Sequence, residues 1–273
     1  MTSALPAISL IGCGKMGGAL LRGWISKGLA DRFLILDPHS LPPEFAQIPA
    51  VTAFTRLEDY LPRQKEAAVI VLAVKPQIMD DVCAALAPSI TPETLVLSIA
   101  AGRTIVGFER HFGVSQPVIR AMPNTPASIG RGMTVMTSNA AVREDQRVQA
   151  EDLLQATGRL AWLADEALMD AVTAVSGSGP AYVFLLMETL AAAGEKLGLD
   201  PALAGVLARE TVTGAAALAD QDTDLSAATL RQNVTSPGGT TEAALSVLMD
   251  GTLQSLFDRA LSAARDRGKA LGQ

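Results

Sequence analysis

Cysteine and histidine are scarce in this 273-residue chain, with two of each. Cys13 and Cys83 are too few for a disulfide framework, and no spacing of thiols, imidazoles and carboxylates matches a metal site, so none is expected. Neither His39 nor His111 stands in a setting that suggests a proton relay, which argues against a dehydrogenase mechanism resting on a catalytic histidine. A basic excess is also missing. The formal net charge of -6 gives no field to attract phosphate backbones, and nucleic acid is not an expected partner. Uncharged apolar runs such as Ala67 to Val74 and Tyr182 to Met187 fall short of the roughly 20 residues that cross a bilayer, so no membrane association is expected. Met1 to Pro6 lacks the basic start and apolar middle of a secretion signal. A cytoplasmic protein acting on a small metabolite is the reading that these absences leave.

What is present is ample apolar material, 49% of the residues, enough for two compact units. The first half alternates short β-rich runs with helical patterns: Ile8 to Ile11, Phe33 to Leu36, Val69 to Val74, Thr94 to Ser98, Val118 to Ala121 and Gly132 to Thr137 read as strands. Met16 to Lys27 repeats apolar residues at helical spacing and meets a stop at Gly28, which completes a βαβ unit. Val142 to Thr157 reads as an amphipathic helix. After Asp165 the strand signals fade and alanine and leucine dominate. Helices are expected over Tyr182 to Leu197, over Ala202 to Ala219 behind an Asp200-Pro201 cap, and from Thr252 toward Ala270, with a polar loop at Asp220 to Asp224. The fold class is therefore α/β: an N-terminal Rossmann-type doubly wound sheet, residues 1–164, followed by an all-helical domain, residues 165–273. So small and alanine-rich a bundle is expected to complete its core against another subunit as an obligate dimer.

Gly12-Cys13-Gly14-Lys15-Met16-Gly17 follows a predicted strand and opens a helix. In that context the glycine spacing lets backbone amides approach a dinucleotide pyrophosphate, although tight strand-to-helix turns use glycine too. Asp37 ends the second strand. A carboxylate there accepts hydrogen bonds from an adenosine ribose and repels a 2'-phosphate, which favours NADH; Ser40 or Arg56 meeting a phosphate keeps NADPH open. Ala73-Val74-Lys75-Pro76, Ala100-Ala101-Gly102 and Met122-Pro123-Asn124-Thr125-Pro126 follow later strands at the carboxyl edge of the sheet, where doubly wound folds bind ligands.

In the second half, Ser176-Gly177-Ser178-Gly179-Pro180 precedes an apolar helix and suits close packing or a pocket wall. Thr235-Ser236-Pro237-Gly238-Gly239-Thr240-Thr241 precedes another. Its first amides would be unpaired, so a substrate carboxylate can bind them, favoured by about 0.3 to 1 kcal/mol from helix polarity. N-capping by Thr240 or Thr241 is the plainer alternative.

With Thr173 to Tyr182 and Val234 to Glu242 as its strongest matches, and Leu72 to Gln77, Ser98 to Gly102 and Arg120 to Pro126 in support, the chain resembles the pyrroline-5-carboxylate reductases almost end to end. The resemblance implies NADPH- or NADH-dependent reduction of 1-pyrroline-5-carboxylate to L-proline, on a Rossmann domain joined to a helical dimerisation domain, as a homodimer or an assembly of dimers. Carried over by position, Thr241 would hydrogen-bond the ring nitrogen as the catalytic residue. Ser236, Gly238, Gly239 and Thr240 would hold the substrate, with Ser178 at the pocket border. Gly12, Cys13, Gly14, Lys15, Met16, Gly17, Asp37, Ala73, Val74, Lys75, Pro76, Ala100, Ala101 and Asn124 would form the cofactor side. Lys15 and Asp37 depart from the residues usual in the family, so the resemblance does not choose between NADH and NADPH. A wider group of hydroxyacid and imine reductases would want a proton donor from the helical half, and the flanks of Lys196 do not fit that role. A protein that binds the dinucleotide without turnover is the non-catalytic alternative.

Overall fold

The computed structural model describes residues 5–271; residues 1–4 and 272–273, which open and close the two expected domains, lie outside it. The first half contains β1 (Ile8–Ile11), α1 (Lys15–Lys27), β2 (Phe33–Leu36), α2 (Pro43–Ala46), β3 (Val51–Phe54), α3 (Leu57–Gln64), β4 (Val69–Leu72), α4 (Met79–Leu86), β5 (Leu95–Ser98), α5 (Ile105–Phe112), β6 (Val118–Met122), β7 (Gly132–Ser138), α6 (Glu144–Gln155) and β8 (Gly158–Trp162). The strands form one sheet in the order β3-β2-β1-β4-β5-β6-β7-β8. Neighbours run parallel from β3 to β6, β7 is antiparallel to β6, and β8 is parallel to β7. The order 3-2-1-4-5-6 is that of a dinucleotide-binding sheet.

The strands expected from apolar runs are present, with β4 stopping at Leu72, one residue before Ala73, whose N–H donates to the Ile11 carbonyl at 2.8 Å. Two strands were not foreseen. β3 is partly exposed along its length at the sheet edge, and β8 is likewise only half-buried, so neither carries the continuous apolar run that marked the central strands. Alternate residues of the strands feed two cores. One packs Ile8, Leu10 and Val71 with Leu20, Leu21 and Trp24 of α1 and Leu153 and Leu154 of α6; the other packs Ile11, Ile70 and Leu72 with Tyr60, Met79, Leu86 and Phe108. Trp24 is fully buried and its indole N–H donates to the Leu153 carbonyl at 2.8 Å. Gly28 ends α1 at φ 60°, the left-handed conformation a helix stop requires.

After β8 come α7 (Met169–Val172) and a π-helical turn over Thr173–Gly177. Compactness divides the chain after Gly177, with the end of the last helix from Ala264 counted in the first unit. The expected boundary stands at 164 and 165. The intervening stretch goes with the sheet because Arg120 of β6, 4% exposed, pairs with Glu166 at 2.9 Å and Asp170 at 3.8 Å, and Glu166 also accepts the Ile105 N–H. A buried guanidinium without those carboxylates would be costly.

The second unit, Ser178–Ala263, is helical: α8 (Gly179–Lys196), α9 (Pro201–Gln221), α10 (Ala227–Asn233), α11 (Thr240–Leu248) and the greater part of α12 (Thr252–Leu271). Asp200 caps α9 as expected, accepting from the Ala202 and Leu203 N–H groups. The helix runs two residues into the expected polar loop of Asp220 to Asp224, ending at Gln221. α10 was not foreseen; it is a short helix capped by Ser226, which accepts the Thr229 N–H at 3.1 Å. Among the described residues of this unit only Ala204 and Ala208 are buried. α9 is also long and apolar enough, by length and composition, to cross a membrane, a test that contiguous uncharged runs had missed because Arg209 and Glu210 interrupt it.

Candidate functional site

The glycine loop between β1 and α1 is shaped by backbone contact. Gly12 has φ +93°, and a Cβ there would lie 2.9 Å from the Ala73 carbonyl oxygen; one on Gly17 would lie 2.3 Å from the Gly12 carbonyl oxygen. Both positions exclude a side chain. Gly14 differs, since a Cβ there meets nothing within 4 Å. It is the N-cap of α1, no side chain caps it, and no acidic residue stands in the first turn. An uncapped helix start with an open approach suits an anion, and the loop fits a dinucleotide pyrophosphate on those grounds. Lys15 and Met16 begin the helix beside it.

Asp37, directly after β2, binds this loop: its Oδ2 accepts the Cys13 N–H at 2.6 Å and its Oδ1 accepts the His39 N–H at 2.9 Å. Burial, then the Asp37 and Glu44 carboxylates, push the Cys13 thiol up to about 11 against the opposing Arg22. The thiol stays protonated at neutral pH and is a poor nucleophile. Ala73 and Val74 pack against Gly12, Lys75 is exposed before the turn beginning at Pro76, and Ala100 and Ala101 follow β5 before Gly102 turns at φ +74°. The structure thus gathers Gly12, Cys13, Gly17, Asp37, Ala73 and Val74. His39 is exposed, and His111 pairs with Asp80 at 3.1 Å alongside Arg103.

Asn124, beyond β6, is engaged within the protein. Its amide donates to the Ser176 carbonyl and hydroxyl, both at 3.3 Å, and its carbonyl accepts the Met133 N–H at 2.9 Å. It ties the π-helical turn to the sheet. Such turns recur at functional sites because an extra residue redirects the side chains around it. Ser178 stands at the start of α8, with its carbonyl accepting the Ala181 N–H.

In the helical unit, Ser236 to Glu242 form a second cluster. Gly238 has φ +70°, and its N–H donates to the Glu242 carboxylate at 2.6 Å; the Gly239 N–H donates to the Ser236 carbonyl at 3.0 Å. Two of the amides expected to face a substrate are therefore already bonded within the loop. Gly239 is the N-cap of α11, without a side-chain cap, and the first helical bond runs from the Ala243 N–H to the Gly239 carbonyl. Neither threonine is the N-cap. The amides of the first turn, at Thr240 and Thr241, and the half-buried Thr241 hydroxyl are what this helix start offers an anion.

Sequence reasoning missed Glu242 as the partner of Gly238, though an acidic residue at the third helical position is the mark of a reciprocal cap. It also missed the buried Arg120 set; a charge inside the apolar run Val118 to Met122 was the signal.

A family model described as pyrroline-5-carboxylate reductase dimerisation matches residues 166–271, and one described as NADP oxidoreductase coenzyme F420-dependent matches residues 7–102. A pyrroline-5-carboxylate reductase of Pseudomonas aeruginosa is 44% identical over 269 residues, 98% of this chain and 97% of that protein. Among solved structures, a pyrroline-5-carboxylate reductase from Coxiella burnetii is 38% identical with a TM-score of 0.89, covering 98% of this chain and 99% of that one. The Plasmodium falciparum pyrroline carboxylate reductase with NADP bound is 28% identical with a TM-score of 0.83, covering 99% and 100%.

Proposed function

The chain belongs to the pyrroline-5-carboxylate reductase family, and from that premise we propose how its residues serve the reaction. The protein is an NAD(P)H-dependent oxidoreductase that reduces 1-pyrroline-5-carboxylate to L-proline, the last step of proline biosynthesis. A dinucleotide held by its pyrophosphate along the glycine loop would supply the hydride for the C=N carbon of the substrate, which becomes C5 of proline. Gly12 to Gly17 would hold the pyrophosphate, with Lys15 and Met16 at the helix start, Asp37 and Cys13 beside the ribose end, and Ala73 to Pro76, Ala100 and Ala101 along the ring side. Asn124 acts in this reading by holding the Ser176 turn rather than by touching the ligand.

The first-turn amides of α11, at Thr240 and Thr241, take the substrate carboxylate, and Ser236 offers a hydroxyl to it. Gly238 and Gly239 shape the turn, with Glu242 holding Gly238. The Thr241 hydroxyl hydrogen-bonds the ring nitrogen and orients the C=N carbon. A protonated cyclic imine brings its own proton: hydride adds to the C=N carbon, the π electrons move to nitrogen, and a neutral secondary amine results. No histidine relay is required. Orientation is the main contribution of these residues. The observation that carries the assignment is the start of α11, where no side chain caps Gly239, next to the left-handed Gly238.

We place the functional division at residues 164 and 165, the helical part serving as a homodimerisation domain of a cytoplasmic enzyme, with dimers free to assemble further. The near-absence of buried residues in Ser178–Ala263 supports the dimer. Following NADH and NADPH oxidation side by side with pyrroline-5-carboxylate tests the function, and no oxidation of either would remove it. A stable monomer in sedimentation at low concentration would remove the dimer.

A further inference from the structure

We infer that this enzyme prefers NADH to NADPH, with Asp37 excluding the 2'-phosphate and Arg56 held away from it; the inference rests on the dinucleotide reading above. Asp37 is anchored from two directions, by the Cys13 N–H of the glycine loop and by the His39 N–H of the following turn. A carboxylate has about four lone-pair sites, so two amides leave acceptor capacity for ribose hydroxyls. A ribose with free 2'- and 3'-hydroxyls supplies matching donors. A 2'-phosphate supplies only acceptors and close to two further negative charges, and it would face a carboxylate that its anchors keep from swinging away.

A phosphate would need a cation at this edge. Arg56 is the candidate, since it follows β3 and the Phe54 carbonyl at the end of that strand accepts the Asp37 N–H at 3.0 Å. Its guanidinium, however, is paired with Glu58 and stands 4.0 Å from Asp59. Arg22, on the other side of the loop, is paired with Glu44. The Cys13 thiol beside them is raised first by its burial and then by the Asp37 and Glu44 carboxylates, with Arg22 opposing. At the Asp37 edge, then, both guanidiniums are already paired and the carboxylates oppose a 2'-phosphate, while the helix start at Gly14 stays open to the pyrophosphate.

Titration of the purified enzyme with each dinucleotide in the absence of substrate, followed by nicotinamide fluorescence at fixed ionic strength, tests this. NADH should bind at least about tenfold more tightly than NADPH. Asp37→Asn should shrink that ratio at least about fivefold, chiefly by tightening NADPH. Since Asp37 also anchors the loop, a second variant leaves it intact: Glu58→Gln with Asp59→Asn, two exposed positions, frees Arg56 and should tighten NADPH while NADH stays within about twofold. NADPH binding as tight as NADH in the wild type overturns the preference, an unchanged ratio in both variants overturns the roles given to Asp37 and Arg56, and either leaves the dinucleotide reading standing. Binding of neither dinucleotide overturns both.

Discussion

In the sheet unit Trp24, Phe33 and Tyr60 lose essentially all exposure, whereas in Ser178–Ala263 Phe184, Leu186, Val206 and Phe257 keep between 43% and 58% of theirs. Both regions are rich in apolar residues, yet only one encloses them within a single chain. The sheet closes its core by layering helices on both faces. The helices of the second unit leave a large apolar surface open, a pattern that marks association.

The sharpest way to break this contrast is a pair of truncations. Trp24→Ala should cost about 3 to 5 kcal/mol of unfolding free energy, through lost packing and an unpaired Leu153 carbonyl. Phe257→Ala should leave the melting of the sheet unit unchanged and weaken dimerisation about tenfold or more, measured by sedimentation against concentration. Equal effects of the two on monomer melting would mean that the helical unit carries its own core.

Next in size, Arg120→Ala leaves Glu166 and Asp170 facing a buried gap and should cost about 3 kcal/mol in urea unfolding. Since both carboxylates stand just before the π-helical turn, the loss should also loosen amide-exchange protection over Thr173–Gly177. Unchanged protection there would separate Arg120 from the positioning of that turn. In the helical unit, Thr241→Ala should remove about 1 to 3 kcal/mol of transition-state stabilisation, a roughly 5- to 150-fold fall in kcat/KM, with dinucleotide affinity unaffected. An unchanged rate would take Thr241 out of the reaction.

The smallest expected effect is at the surface of the sheet unit. Arg103, then His111, hold the Asp80 carboxyl below its ordinary value of 3.8. A depressed folded pKa means stability that is fully present above pH 3.8, the unfolded value, and lost as pH falls through the lower folded one. Because the Asp80 side chain is 61% exposed, Asp80→Asn should cost well under about 1 kcal/mol at neutral pH, and less in high salt. Urea midpoints of the two proteins should converge in strong acid.

Much of this was legible in the chain. The central strands announce themselves as uninterrupted apolar runs because they are buried on both faces, and β1, the glycine loop and α1 follow from strand, turn and helix-stop chemistry that acts over a few residues. Gly28 and the Asp200-Pro201 pair were readable for the same reason. The edge strands β3 and β8 were not, since a half-exposed strand loses its apolar mark. The reversal of β7 against β6 is a matter of pairing, which no local pattern encodes.

The site divides in the same way. That Gly12 and Gly17 must lack side chains follows locally from the motif, but why they must is decided by Ala73 and by the Gly12 carbonyl, brought against them by the sheet. The sequence by itself determined the elements, the dinucleotide loop and the loop before α11, because helix starts, turns and apolar periodicity are short-range. Only the tertiary structure decided that Asp37 clasps Cys13, that Asn124 serves Ser176, that Arg120 gathers two carboxylates and that Glu242 takes the Gly238 amide. Hydrogen bonds and ion pairs form between whichever groups folding brings within about 3 Å of each other, and separation along the chain does not specify that distance.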